Sequence, residues 1–197
     1  MRARIAVLVS GGGTNLQALL DAESSGILQS GEIVLVVSSR LDAYALTRAR
    51  HAGVEALTIT RTDGEAALLQ VLESHRIDLV VLAGYLTILG SELVKEYENR
   101  IVNVHPSLIP AFSGKGFYSL KPHEEALKRG VKVTGATVHL VNEIPDGGKI
   151  LAQKAVDVLP GDTPEILQRR VMVEAEWVLL PRAVEDLCAQ IAKEKCE

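Results

Sequence analysis

The chain reads as an α/β fold, a doubly wound, mostly parallel sheet with a mixed C-terminal edge. Three observations predict it. Apolar runs at 4–9, 33–37, 56–59 and 79–83 alternate with helical patterns at 16–24, 44–52 and 64–75, the βαβα order of a parallel sheet. The runs are continuous rather than alternating, as expected of strands covered by helices on both faces. Beyond Pro106 the order changes, and two strand-like runs at 133–140 and 150–156 flank a Pro145-Asp146-Gly147-Gly148 turn, the pattern of an antiparallel pair.

In chain order, the first strand ends at Ser10-Gly11-Gly12-Gly13-Thr14-Asn15, where glycines allow a sharp turn into a helix. The next three strand and helix pairs follow at the spacing of βα units. A short helix near 91–97 leads to a strand at 101–104, which runs straight into Asn103-Val104-His105-Pro106. Pro106, Pro110, Gly114 and Gly116 make a long irregular segment before a helix at 121–129, and long ordered loops are usually functional. After the antiparallel pair, Asp162-Thr163-Pro164-Glu165 has the form of a helix N-cap with proline in the first turn. The helix it opens carries Leu167, Val171 and Met172, and Met172 and Trp177 at helical spacing read as core.

Composition narrows the function. The 197 residues are 47% hydrophobic and 23% charged, the size and apolar content of one domain, 1–197, with a full core. A net charge of -4 and a pI near 5.8 argue against nucleic acid as a partner, since no basic face could release enough counterions. The five apolar residues before Ser10 are too few for a signal peptide or a membrane span, so the expected location is cytoplasmic. Cys188 and Cys196 lack metal-type spacing, which predicts neither a disulfide framework nor a zinc site.

Two constellations carry chemistry. The glycine loop lies where a helix N-terminus can hold a phosphate. It lacks the Lys-Ser/Thr pair of a P-loop and the third glycine of a dinucleotide fingerprint, so a monophosphate fits better than ATP or NAD. The plainer reading is a bare strand-to-helix turn. Asn103 and His105 fall at a strand's carboxyl end, where open parallel sheets bind ligands, and strand alternation puts them on one face. An amide and an imidazole side by side could polarise one carbonyl oxygen. Asp146, between a proline and two glycines, is the carboxylate expected to raise the His105 pKa, although each residue alone could be an ordinary turn or strand-end residue. His139 reads as a core residue or as a support for the carboxylate loop, His123 as a helix opener, and His51 and His75 as solvated.

With these pieces assembled, the chain resembles the phosphoribosylglycinamide formyltransferase family over nearly its whole length. The residues that carry the resemblance are the segment 9–17, Val81-Leu82-Ala83-Gly84-Tyr85, Asn103-Val104-His105-Pro106-Ser107-Leu108 and Asp146-Gly147-Gly148. It implies a Rossmann-like formyltransferase fold, monomeric or homodimeric, and a metal-free reaction that moves the formyl group of 10-formyltetrahydrofolate, the co-substrate, to glycinamide ribonucleotide. It implies Asn103, His105 and Asp146 as the catalytic trio and His139 behind them. By the same resemblance Gly13, Thr14 and Asn15 hold the ribotide phosphate and Glu176 its ribose, while Leu86, Thr87, Ile88, Leu89, Asn142, Glu143, Ile144 and Pro145, with Asn103 and Asp146, line the folate pocket. Thr87 and Gly64 stand where many members carry arginine, and Trp177 where histidine is frequent. A formyltetrahydrofolate hydrolase or a formyltransferase for another amine is the alternative; relatives of those kinds normally carry further domains, for which 197 residues leave no room. A nucleotide-binding module without catalysis would need no such trio.

Overall fold

The computed structural model describes residues 1–195. Five strands run parallel, β1 (Ala3–Val9), β2 (Gly31–Ser38), β3 (Glu55–Thr58), β4 (Leu79–Leu82) and β5 (Ile101–His105). Two antiparallel strands, β6 (Val133–Leu140) and β7 (Ile150–Asp157), complete a seven-stranded sheet of order β3-β2-β1-β4-β5-β6-β7. The helices are α1 (Thr14–Ser24), α2 (Tyr44–His51), α3 (Gly64–Ser74), α4 (Ser91–Glu96), α5 (Lys121–Arg129), α6 (Pro164–Val171) and α7 (Trp177–Glu194). The doubly wound sheet with its mixed edge is thus as the sequence predicts.

Strand alternation explains the continuous apolar runs. In β1, Ile5, Val7 and Val9 face a core shared with Leu16 and Leu19 of α1 and Leu180 and Val184 of α7. Ala6 and Leu8 point the other way, into a core built with Leu68 and Leu72 of α3 and Leu93 of α4. A strand buried on both faces has no position for a polar side chain, and each large side chain so buried contributes about 1.5–3 kcal/mol. Strand β2 begins two residues earlier than its apolar run, at Gly31, where a Cβ would lie 2.6 Å from Ile5 Cδ1 and 2.7 Å from Cys188 Sγ. Glycine is needed for that close approach. Cys188 is a buried free thiol; Cys196 lies outside the described residues.

The C-terminal helical stretch differs from expectation. Thr163 caps α6 by accepting from the Ile166 N–H at 3.3 Å, as predicted, but between α6 and α7 the chain makes a π-helical turn, Met172–Glu176. Such turns are rare and concentrate at functional sites; this one carries Glu176 into the interior, 6% exposed. Trp177 and Met172 are only half-buried. His75 is not simply solvated either: its Nδ1 contacts the Val71 carbonyl at 2.7 Å and its Nε2 lies 3.3 Å from Glu55. No helix among the described residues is long and apolar enough to cross a membrane.

The strand order reverses between β1 and β4, and the crevice beyond the carboxyl ends of the strands at such a point is where ligands bind in this architecture. The glycine loop after β1, the 83–90 loop after β4 and the end of β5 all open there.

Candidate active site

The antiparallel pairing of β5 with β6 builds the centre. It sets Asn103 directly opposite His139 and His105 opposite Thr137, and opposed residues project to the same side of a sheet. Asn103 Nδ2 accordingly lies 3.1 Å from His139 Nε2. The other His139 nitrogen, Nδ1, is 2.8 Å from the Leu140 carbonyl; a carbonyl only accepts, so Nδ1 carries the hydrogen and Nε2 accepts from the Asn103 amide. One N–H of Asn103 is thereby spent and the other is free. Next to His139 the β6–β7 ladder shifts register, a bulge of the kind found beside active sites.

Asp146 enters from the turn between β6 and β7. Its φ is +56°, a left-handed conformation that aspartate and asparagine tolerate better than most residues. A Cβ on Gly148 would lie 1.8 Å from the Leu140 carbonyl oxygen, so only glycine lets the turn fold back this tightly. Asp146 Oδ2 accepts from the Gly114 N–H at 2.7 Å and lies 3.4 Å from His105 Nδ1, while Oδ1 lies 3.5 Å from His139 Nε2. Burial pushes the Asp146 carboxyl up, but the His139 and His105 imidazoles, which attract the carboxylate only when protonated, and the Gly114 N–H outweigh it and leave the pKa below the usual carboxylate value. The group is ionised at neutral pH.

His105 departs from expectation. Its net shift is downward, because desolvation at 4% exposure outweighs the Asp146 carboxylate and the hydrogen bond to Phe112, with His139 adding to the lowering. The expected rise through Asp146 is present but is the smaller effect. The imidazole is therefore neutral at neutral pH; its Nε2 donates to the Phe112 carbonyl at 2.9 Å, which leaves the Nδ1 lone pair facing Asp146.

His123 is fully buried, with neither ring nitrogen partnered. Burial, and to a lesser extent His105, pushes its pKa down to about 4. A folded-state pKa below the unfolded one gives stability that is complete above the unfolded value, near 6.5, and is lost as pH falls toward 4. A shift of that size corresponds to on the order of 3 kcal/mol. The melting temperature of the wild type should therefore drop more steeply between pH 6.5 and 4 than that of His123→Leu; parallel curves in thermal unfolding would contradict this.

The glycine loop separates into two parts. Gly13 has φ +72° and a Cβ there would lie 2.6 Å from Ala45 Cβ, so this glycine is required by the fold. Gly11 and Gly12 have nothing within 4 Å of a Cβ position and no positive φ. Neither packing nor backbone demands them, and the space above them is open to a ligand. Helix α1 has no side-chain cap, which leaves its first N–H groups available to an anion. Asn15 turns inward, its Nδ2 donating to Glu176 Oε2 at 2.7 Å. Burial raises the Glu176 pKa, partly offset by Asn15.

Of the residues expected around a folate, Thr87, Ile88, Leu89, Asn142, Glu143, Ile144 and Pro145 line one cavity of about 130 Å³ together with Asn103, His139 and Asp146. His105 stands behind it and is not on its wall. Leu86 is not on the wall either; it is 57% exposed and its N–H donates to Ser10 Oγ at 2.9 Å. Tyr85 also lines the cavity, and a second one of about 190 Å³ shares Tyr85, Thr87, Ile88 and Leu89 and adds Arg61, Glu65 and Gly64. Sequence reasoning missed Tyr85, Arg61, the Phe112 carbonyl and the Gly114 N–H. Tyr85 and Arg61 could have been found from their nearness to residues already chosen; the two backbone groups carry no residue-type signal. Among the described residues no three His, Cys, Asp or Glu side chains are grouped to hold a metal ion.

The chain is similar to known proteins over nearly its whole length. The family model described as formyl transferase matches residues 3–184. The chain is 40% identical over 199 residues to the chloroplastic phosphoribosylglycinamide formyltransferase of Arabidopsis thaliana, covering 98% of this chain and 68% of that protein. Among solved structures, glycinamide ribonucleotide transformylase 1 of Symbiobacterium toebii is similar with TM-score 0.89 and 44% identity, over 96% of this chain and 89% of that one. A formyltetrahydrofolate deformylase of Pseudomonas syringae is similar with TM-score 0.87 and 29% identity, over 96% of this chain and 62% of that one.

Proposed function

The chain belongs to the formyl transferase family, and from that premise we propose that it transfers the formyl group of 10-formyltetrahydrofolate to the amine of glycinamide ribonucleotide, a step of purine biosynthesis, as one domain spanning its length. The observation that carries the chemistry is Asn103, an amide with one unspent N–H, on the wall of the same cavity as an ionised carboxylate, Asp146.

The amine nitrogen attacks the formyl carbon, a C–N bond forms, and the formyl oxygen becomes anionic. The free N–H of Asn103 stabilises that oxygen; a donor aimed at a developing oxyanion is worth about 3–4 kcal/mol. The proton lost by the amine passes to the Asp146–His105 pair. His105 is neutral at rest and so able to take it on Nδ1, 3.4 Å from Asp146 Oδ2, where the resulting imidazolium is paired with the carboxylate. When the tetrahedral intermediate collapses, the bond to N10 of the folate breaks and the same pair returns the proton to N10. His139 fixes the Asn103 amide, and its Nδ1–H is fixed in turn by the Leu140 carbonyl.

On the acceptor side, the open space above Gly11 and Gly12, the uncapped α1 terminus and Gly13, Thr14 and Asn15 take the ribotide phosphate, and Glu176 takes the ribose. On the donor side, the cavity beside Thr87, Ile88 and Leu89 takes the folate ring. The cavity beyond it, with Arg61, stands where the absent arginines at 64 and 87 would have put a charge.

A hydrolase reading draws support from the similarity to the deformylase, and the two readings differ in one requirement. Folate release, followed by absorbance, should be fast with glycinamide ribonucleotide present and slower by at least 100-fold without it. Equal rates with and without the amine would favour hydrolysis, and no release in either case would leave a binding module.

A further inference from the structure

A cavity of about 610 Å³ lies away from Asn103 and Asp146, on the outer side of α1, between it and α7. Its volume is that of a small-molecule site, roughly 300–1,000 Å³. Helix α1 buries Leu16, Leu19 and Leu20 against the sheet and turns Ala18 and Asp21 the other way, toward this cavity. Opposite them α7 presents Val178 and Pro181, so the two walls are apolar. The charges at its edge are unbalanced: Arg48, Arg169 and Arg182 line it against the single carboxylate of Asp21, in a chain whose net charge is -4.

Those guanidiniums are not occupied by acids. The arginines that have carboxylate partners among the described residues are Arg2, Arg40, Arg100 and Arg170. Arg48 is held instead by the Gly12 carbonyl and Gln17, and Arg169 stacks on the Trp177 ring at 5.7 Å. Trp177 lines the cavity, and its indole Nε1–H is covered from solvent with no acceptor. An unpaired buried donor costs about 1–3 kcal/mol, which an acceptor that reaches it from the cavity would recover. Apolar walls, an unspent indole donor and unpaired guanidiniums together select a flat ring with ring acceptors and an anionic head.

We propose that this cavity is a second binding site, separate from the formyl-transfer centre, for an aromatic organic phosphate of nucleoside monophosphate size, its ring between the α1 and α7 walls and its phosphate on Arg169 and Arg182. The site does not depend on the proposed reaction. It borders the ribotide side of the crevice: Thr14, at the N-terminus of α1, lies on the cavity wall as well as in the proposed phosphate loop, and Trp177 adjoins Glu176.

Trp177 is the only tryptophan of the chain, so its fluorescence reports this cavity without turnover. Titration of the whole protein with AMP should give a saturable change, and adenosine or inorganic phosphate should each bind at least tenfold more weakly. Arg182→Glu, at an exposed position, should weaken AMP at least tenfold, and Ala18→Leu, which fills the cavity from a half-buried position, should remove the signal. Both variants should keep the wild-type circular dichroism spectrum and melt, and saturating glycinamide ribonucleotide should leave AMP binding unchanged. No saturable change with AMP, equal binding of AMP and adenosine, indifference to both substitutions, or displacement by the ribotide would each overturn the proposal.

Discussion

Asn103→Ala should lower kcat by about 10²–10³ and change KM for either substrate little. The free N–H of Asn103 meets an anionic oxygen only while the tetrahedral intermediate exists, so its loss is felt in the transition state and not in the bound substrate. The fold should survive. Asn103 is half-buried at the carboxyl end of β5, and His139, which loses its donor, keeps the Leu140 carbonyl. Steady-state kinetics on both substrates decide the matter: a rise in KM at unchanged kcat would make Asn103 a clamp for the ground state instead.

Asp146→Asn should cost more, on the order of 10³-fold or greater in kcat/KM, because it removes the proton acceptor and the counter-charge of His105 together. Asparagine accepts the left-handed backbone at φ +56°, and its Oδ1 can still receive the Gly114 N–H, so the turn should keep its shape. A second readout separates chemistry from shape. His105 must be neutral to take the proton, and the Asp146 carboxylate raises its pKa although the net shift is downward, so wild-type activity should decline on the acid side as the Asp146–His105 pair takes up a proton before catalysis. That acid limb should move to lower pH in the variant, where no carboxylate favours the imidazolium. Turnover near the wild-type level in Asp146→Asn would remove the carboxylate from the reaction.

Sequence and structure agree most closely where a single physical cause dominates. The parallel half of the sheet is legible because strands covered on both faces must be apolar throughout, and β1 divides Ile5, Val7 and Val9 from Ala6 and Leu8 between two cores. Asn103, His105 and Asp146 are legible because polar residues that end an apolar strand or sit in a Pro-Asp-Gly-Gly turn have no packing reason to be there. What escapes the sequence depends on register, backbone atoms or depth. His139 meets Asn103 only through the pairing of β5 with β6, across 36 positions of chain. The Phe112 carbonyl and the Gly114 N–H hold His105 and Asp146, yet any residue could supply either group. The sign of the His105 shift turns on how much water is excluded, which a list of neighbours does not reveal. Trp177 belongs to a surface cavity rather than the core, beside a π-helical turn whose Met-Val-Glu-Ala-Glu sequence carries no signal of its own.

The most direct measurement follows the formyl carbon itself. With isotopically labelled 10-formyltetrahydrofolate and glycinamide ribonucleotide, the wild-type protein should place the label on the ribotide amine and release almost none as formate, and Asn103→Ala should slow that transfer without changing where the label goes. Label recovered as formate at the same rate with or without the ribotide would contradict transfer to the amine.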